Sequence, residues 1–163
     1  MELITTATIF LSSMNIYNND CNFAYDAKLC DDVVSSQIVY QKSDDGKYLS
    51  RHFKYNYTYD AEQRLVKKEV MKWDVWTNKW INSHCLNYTY SSNGYSIEYV
   101  RWNTQNTNYT DVMEKQTYDE TVNGAMAICS YSWDNKDSQW ILKDNVIMLN
   151  ANTETLISYE LEF

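Results

Sequence analysis

The chain has 163 residues, with 14 Lys and Arg against 22 Asp and Glu for a net charge of −8. That is one domain's worth of chain, and it lacks the basic surface on which phosphate-backbone binding depends, so nucleic acid is excluded as an expected partner. Fifteen Tyr and six Trp against three Gly and no Pro favour strands over helices, and the sequence holds no Gly-rich phosphate loop, GxSxG, HExxH or CxxC.

Residues 1–18 carry an apolar run from Leu3 to Leu11. The run is shorter than the about 20 residues a membrane span needs, and it is similar to the end of a signal peptide without the basic start or the small-residue cleavage site. The expectation is an exported protein with no membrane span, residues 1–18 being a signal remnant and 19–163 a single β-repeat domain.

From residue 19 onward the chain repeats itself, and self-similarity decides a fold before any motif does. Tyr25 in NFAYDA, Tyr59 in NYTYDA, Tyr90 in NYTYSS and Tyr118 in KQTYDE recur at intervals of 34, 31 and 28 residues. Aromatic pairs with six residues between them run in phase: Trp73 and Trp80, Trp102 and Tyr109, Trp133 and Trp140. Tyr40 and Tyr48, with seven between, are a looser copy.

In chain order the expected strands are 19–25, 33–40, 48–59, 65–73, 80–90, 95–102, 109–118, 124–133, 140–149 and 154–163, placed to within about 2–4 residues. Phe53, Tyr55, Tyr57 and Tyr59 alternate with Lys54, Asn56 and Thr58, the period of a strand with two unlike faces. Pairing Trp73 with Trp80 also pairs Asp74 with Lys79 and leaves the loop Val75 to Asn78, a common hairpin length. At the other end of the strands the repeat Tyr precede turns; Asn-Gly in SSNG after Tyr90 and DETVNG after Tyr118 supplies the positive φ of a tight turn. The fold class is all-β, an antiparallel up-and-down meander of about ten strands built from four to five hairpin repeats. Mixed polarity on the sides of several strands favours an open twisted sheet over a closed barrel.

The line KYNYTYDAEQRLV, Lys54 to Val66, resembles the YxYDxxGRL core of the tyrosine-aspartate repeats of large secreted bacterial shell proteins, with Gln63 standing where that pattern has Gly. Tyr-Asp turns combined with W-D-x5-W hairpins, here Trp73-Asp74 to Trp80 and Trp133-Asp134 to Trp140, more closely resemble a domain-of-unknown-function family of secreted proteins from gut Bacteroidetes. The resemblance covers about residues 20 to 150. It implies a β-repeat fold and export, and it carries over no catalytic residue.

His52 and His84 each lie four residues after a hairpin aromatic. With one strand between them they would stand about 9–10 Å apart, too far to share a metal, so they read as ordinary strand positions and no metal site is expected. Cys21 and Cys30 flank the first Tyr-Asp turn and are the disulfide candidates, whereas Cys85 and Cys129 lie three strands apart. Asp26, Asp60 and Asp119 follow the repeat Tyr, and Asp74 and Asp134 follow the hairpin Trp; all read as turn residues rather than paired catalytic carboxylates. The N-X-T sequons at Asn56, Asn87 and Asn108 read, in a bacterial protein, as strand residues. The aromatic pairs read as clamps of hairpin ends. Trp76 differs: it occupies a loop position where the other copies have polar residues, and it is the candidate binding residue. The expectation is a non-catalytic exported binding or scaffold module without cofactor, its partner an unknown protein or polysaccharide. The alternative is a glycan-binding module using exposed Trp and Tyr rings.

Overall fold

The computed structural model describes residues 22–121 and 125–149. Among them run β1 (Phe23–Cys30), β2 (Val33–Lys42), β3 (Leu49–Tyr59), β4 (Leu65–Asp74), β5 (Lys79–Tyr90), β6 (Gly94–Asn103), β7 (Asn108–Glu120), β8 (Met126–Asp134) and β9 (Gln139–Met148). Each strand pairs antiparallel with the next, and spatial order equals chain order. The result is the expected meander in one open sheet, with β1 and β9 as edges and no helix among the described residues. Residues 1–18, Cys21 and the strand expected at 154–163 lie outside the described residues.

The first hairpin departs from expectation. Tyr25 pairs with Val39 in mid-strand, and β1 continues to Cys30 instead of turning after Tyr25-Asp26. The turn is the two residues Asp31 and Asp32, with φ of 51° and 62°. Two consecutive left-handed residues make the type I′ turn whose twist suits a hairpin, and Asp tolerates that region better than most side chains.

One end of the sheet is built on Asx turns. In the three loops that follow β4, β6 and β8, the residue after the Trp accepts backbone N–H bonds from two residues on: Trp76 N to Asp74 Oδ1 at 3.1 Å, Gln105 N to Asn103 Oδ1 at 2.9 Å and Lys136 N to Asp134 Oδ1 at 2.8 Å. The fourth loop residue is left-handed each time, Asn78, Thr107 and Ser138 with φ of 54°, 48° and 50°. Each loop thereby brings the flanking aromatics opposite one another. Trp73 meets Trp80, Trp102 meets Tyr109 and Trp133 meets Trp140 edge to face, with centroids 4.9, 4.9 and 5.0 Å apart, a geometry that contributes about 0.5–1.5 kcal/mol beyond burial. Tyr40 and Tyr48 form no such clamp: Tyr40 pairs with Arg51, and Tyr48 lies in the Ser43–Tyr48 loop, closed by the Ser43 N–H to Tyr48 carbonyl bond.

At the opposite end the repeat Tyr have a further task. Tyr59 closes β3 and donates its hydroxyl to the Val34 carbonyl at 2.9 Å; Tyr90 closes β5 and donates to the Leu65 carbonyl at 2.8 Å. Each ring reaches back to the first turn of the neighbouring strand and covers a side chain that is only 1 % exposed, Val34 or Leu65. Tyr118 does not close a strand; β7 runs on to Glu120, and its hydroxyl bonds the exposed Gln116 side chain while its ring stacks on Tyr95 at 4.6 Å. The Asn-Gly turn after Tyr90 also has a different basis: Gly94 does not have a positive φ. It must be Gly because a Cβ there would overlap the Tyr118 carbonyl oxygen.

The core is a layer of side chains on one face: Val34, Tyr57, Leu65 and Tyr88, flanked by Tyr55, Leu86 and Ile97. Gln37 is buried against it and accepts the Tyr57 hydroxyl at 3.2 Å, which offsets the cost of burying an amide. With no second layer among the described residues, the sheet covers its own core, and long Tyr rings lying over shorter neighbours do so. Register shifts interrupt every pairing except β5 with β6 and β7 with β8. Bulges of this kind increase twist and coil the sheet.

Candidate functional site

The loop between β4 and β5 is the outlier of the three Asx-braced tips. Asp74 accepts the Trp76 N–H and, at 2.5 Å, the Thr77 hydroxyl, so the loop backbone is held from below; those bonds hold the Asp74 carboxyl below its usual pKa. The side chains it presents are Val75, 77 % exposed, and Trp76, 97 % exposed. The same positions are Thr104 and Gln105 after β6, and Asn135 and Lys136 after β8.

Cross-strand partners share a face, so the register sorts every strand residue to one side or the other. The three clamps lie on the face opposite the tyrosine core, with cations over their rings: Arg51 over Trp73 at 4.5 Å, Lys67 over Tyr109 at 4.9 Å and Lys115 over Trp140 at 5.7 Å. Lys67 on β4 and Tyr109 on β7 meet across two intervening strands, over the pair Cys85 and Val100, 0 % and 4 % exposed. The Tyr109 hydroxyl is buried, and its pKa is pushed up to about 12 by burial first, then by Glu69 and Cys85. Burial likewise pushes the Cys85 thiol up to about 11, leaving it an inert buried thiol beneath the clamp face. Two lysines of this face are ion-paired: Lys67 with Glu69 at 3.1 Å and Lys115 with Glu98 at 3.6 Å.

The core-bearing face has the opposite electrostatics. Toward the tip end it carries the ring sequence Phe23, His52, Phe53, Tyr55, with neighbouring centroids 5.6, 4.1 and 6.3 Å apart. Lys72 stands opposite Phe53, His84 opposite Val70 and Arg101 opposite His84, and the half-buried Lys68 lies with its ammonium 4.1 Å from the centre of Tyr55. His84 is tilted against Tyr99 at 4.7 Å. Its pKa is lowered, by burial first and then by Lys72 and Lys68; burial lowers that of Lys68. Both histidines thus face the core side, each against an aromatic ring, and no three metal-ligating side chains group among the described residues.

The remaining sequence candidates sort as follows. Asp60, Asp74 and Asp134 accept turn N–H bonds. Asp26 and Asp119 are instead strand residues, opposite Ile38 and Ala127, because neither Tyr25 nor Tyr118 ends its strand. Without a turn at Tyr25-Asp26, nothing on the described chain brings Cys30 back toward Phe23, where the strand begins; Cys30, Cys85 and Cys129 are free thiols, and Cys21 lies outside the described residues. Sequence reading missed Lys68, Lys72 and Arg101. The alternation Lys68, Val70, Lys72 was the available signal, since it puts two lysines on the core-facing side of β4.

The fold has counterparts among solved structures. A protein of unknown function from Bacteroides fragilis NCTC 9343 is 24 % identical with a TM-score of 0.67, over 80 % of this chain and 95 % of that one. A DUF3836 family protein from Bacteroides vulgatus ATCC 8482 is 25 % identical, covering 78 % and 99 % of the two chains, with a TM-score of 0.46. One from Parabacteroides distasonis ATCC 8503 is 17 % identical over 82 % and 95 %, with a TM-score of 0.41. No curated protein matches the chain. The model of a family of unknown function matches residues 1–120, and the chain belongs to that family, DUF3836.

Proposed function

We propose that this chain is a non-catalytic, exported binding module that engages a macromolecular partner through the tip of the β4–β5 hairpin. The observation that carries the reading is Trp76: an indole 97 % exposed on a loop braced by Asp74. A Trp offers about 200 Å² of apolar surface, equivalent to about 5 kcal/mol of burial at 25 cal/mol per Å². It is also the residue type that most often anchors an interface. The clamps, by contrast, are turned edge to face into their own hairpins and hold the scaffold. What supports export is the apolar run Leu3 to Leu11 and the resemblance of the repeat pattern to secreted proteins. Fractionation of the native host that finds the protein cytosolic would overturn that part.

A glycan partner is the second reading, since a flat, exposed indole on a braced loop is suited to stacking on a sugar face. Purified protein titrated with a panel of polysaccharides while Trp fluorescence is followed separates the two. Saturable quenching abolished by Trp76→Ala establishes the glycan reading. Quenching by none of the panel, together with capture of a host protein that Trp76→Ala loses, establishes a protein partner. A Trp76→Ala chain that keeps every interaction refutes the site.

A further inference from the structure

We infer a second binding surface, a cationic and aromatic strip across β3 to β6 on the core-bearing face, suited to an acidic polysaccharide of the uronic-acid class. The inference rests on the chain being a binding module but not on Trp76. A chain of net charge −8 here gathers Lys72, His84 and Arg101 on one face of three adjacent strands, Arg101 directly opposite His84 and His84 opposite Val70, two residues before Lys72. Of the carboxylates on these strands, Glu69 and Glu98 lie on the other face and are held there by Lys67 and Lys115, while Asp74, two residues beyond Lys72 on the strip face, is engaged in the tip loop by the Trp76 N–H and the Thr77 hydroxyl. On the next strand, β7, Asp111 and Glu114 stand opposite Arg101 and Tyr99 and border the strip on one side. Over β3–β6 this face therefore holds Lys68, Lys72 and Arg101 against the loop-bound Asp74, and burial first, then Lys72 and Lys68, lower the His84 pKa.

Rings flank the cations on both sides, Phe53 and Tyr55 on β3 and Tyr99 on β6. Neighbouring strands lie about 4.8 Å apart, so Phe53 to Arg101 spans about 14 Å across the face. A short run of pyranose rings can lie across that distance, the rings on the aromatics and the carboxylates on Lys72 and Arg101. A long polyanion such as nucleic acid would be repelled by the rest of an acidic chain, whereas a short uronate segment needs only the local field. Both cations are exposed, so the strip is open to such a polymer.

The test is calorimetric titration of the whole chain with polygalacturonate oligomers, with dextran and poly-glutamate as comparators. The inference expects binding of polygalacturonate that weakens with added salt and falls at least about tenfold in Lys72→Gln/Arg101→Gln, two exposed charge contacts being lost. Lys72→Arg/Arg101→Lys, which keeps both charges, is expected to retain most of the affinity, and circular dichroism of each variant reports the sheet. Equal binding of poly-glutamate overturns the glycan assignment in favour of an acidic peptide. Polygalacturonate binding unchanged in the Gln variant, or no polygalacturonate binding at all, overturns the strip. In either case the Trp76 reading still stands or falls on Trp76→Ala alone.

Discussion

Gln63→Gly is expected to stabilise the protein. Gln63 closes the turn between β3 and β4: its N–H bonds the Asp60 carbonyl at 3.0 Å, Asp60 Oδ1 accepts the Glu62 and Arg64 N–H groups, and its own φ is 60°. An L-residue in the left-handed region costs about 1–2 kcal/mol. Against this, Gly loses about 0.5–1 kcal/mol through the greater freedom of its unfolded state. The difference leaves about 0.5–1 kcal/mol in favour of Gly, or about 1–4 °C in the melting temperature of a chain of this size. Ala61→Gly in the same turn is the control, because Ala61 is not left-handed and the substitution has only the entropic cost. Thermal and urea unfolding followed by circular dichroism reads both. If Gln63→Gly is as destabilising as Ala61→Gly, the left-handed turn, and with it the reason for Gly in the resembling Tyr-Asp pattern, is wrong.

Gly94→Ala is expected to cost about 2–3 kcal/mol, read by urea unfolding, because the added Cβ has to push the β6–β7 pairing apart at the Tyr118 carbonyl; full retention of stability would contradict that close approach. Tyr90→Phe should cost about 1 kcal/mol by removing the bond to the buried-end carbonyl of Leu65, whereas Tyr118→Phe, whose hydroxyl reaches an exposed Gln side chain, should be near neutral. Alkaline titration at the tyrosinate absorbance should show phenols resisting ionisation until pH about 12, Tyr88 and Tyr109 among them, from a usual value of 10.0. Their folded pKa lies above the unfolded one, so the folded chain holds more protons between the two. Stability is therefore complete below about pH 10 and is lost as pH rises toward 12. A titration in which every Tyr ionises near 10 while the sheet stays folded would refute the burial of these two rings.

The parts of the fold that are local were readable in the sequence. The Trp pairs at fixed spacing, the Asp or Asn after the first Trp, and the alternation of Phe53 to Tyr59 each act within one hairpin, so spacing alone exposes them. What spacing did not show was which non-Gly residues turn left-handed, Gln63, Thr107 and Ser138 inside turns that were placed, and that the first hairpin turns at Asp31-Asp32 instead of after Tyr25-Asp26. The role of Gly94 depends on a carbonyl 24 residues away in Tyr118, a contact that only the paired strands create. The cationic strip was hidden by a bulge. Counting by twos from Trp80 puts His84 on the clamp face, but the register shift between Val70 and Met71 in the β4–β5 pairing turns it to the other face, beside Lys72 and Arg101.

The central claim is that the repeat builds the sheet while the residue that interrupts it makes the contact. The most direct measurement is a side-by-side comparison of Trp76→Ala and Trp80→Ala for stability and for binding to the partner or polysaccharide that the panel identifies. Trp76→Ala should leave the unfolding midpoint within about 0.5 kcal/mol of the parent and abolish binding. Trp80→Ala should lower stability through loss of its edge-to-face partner Trp73, and whatever fraction stays folded should still bind. Binding that survives Trp76→Ala undiminished would contradict the account.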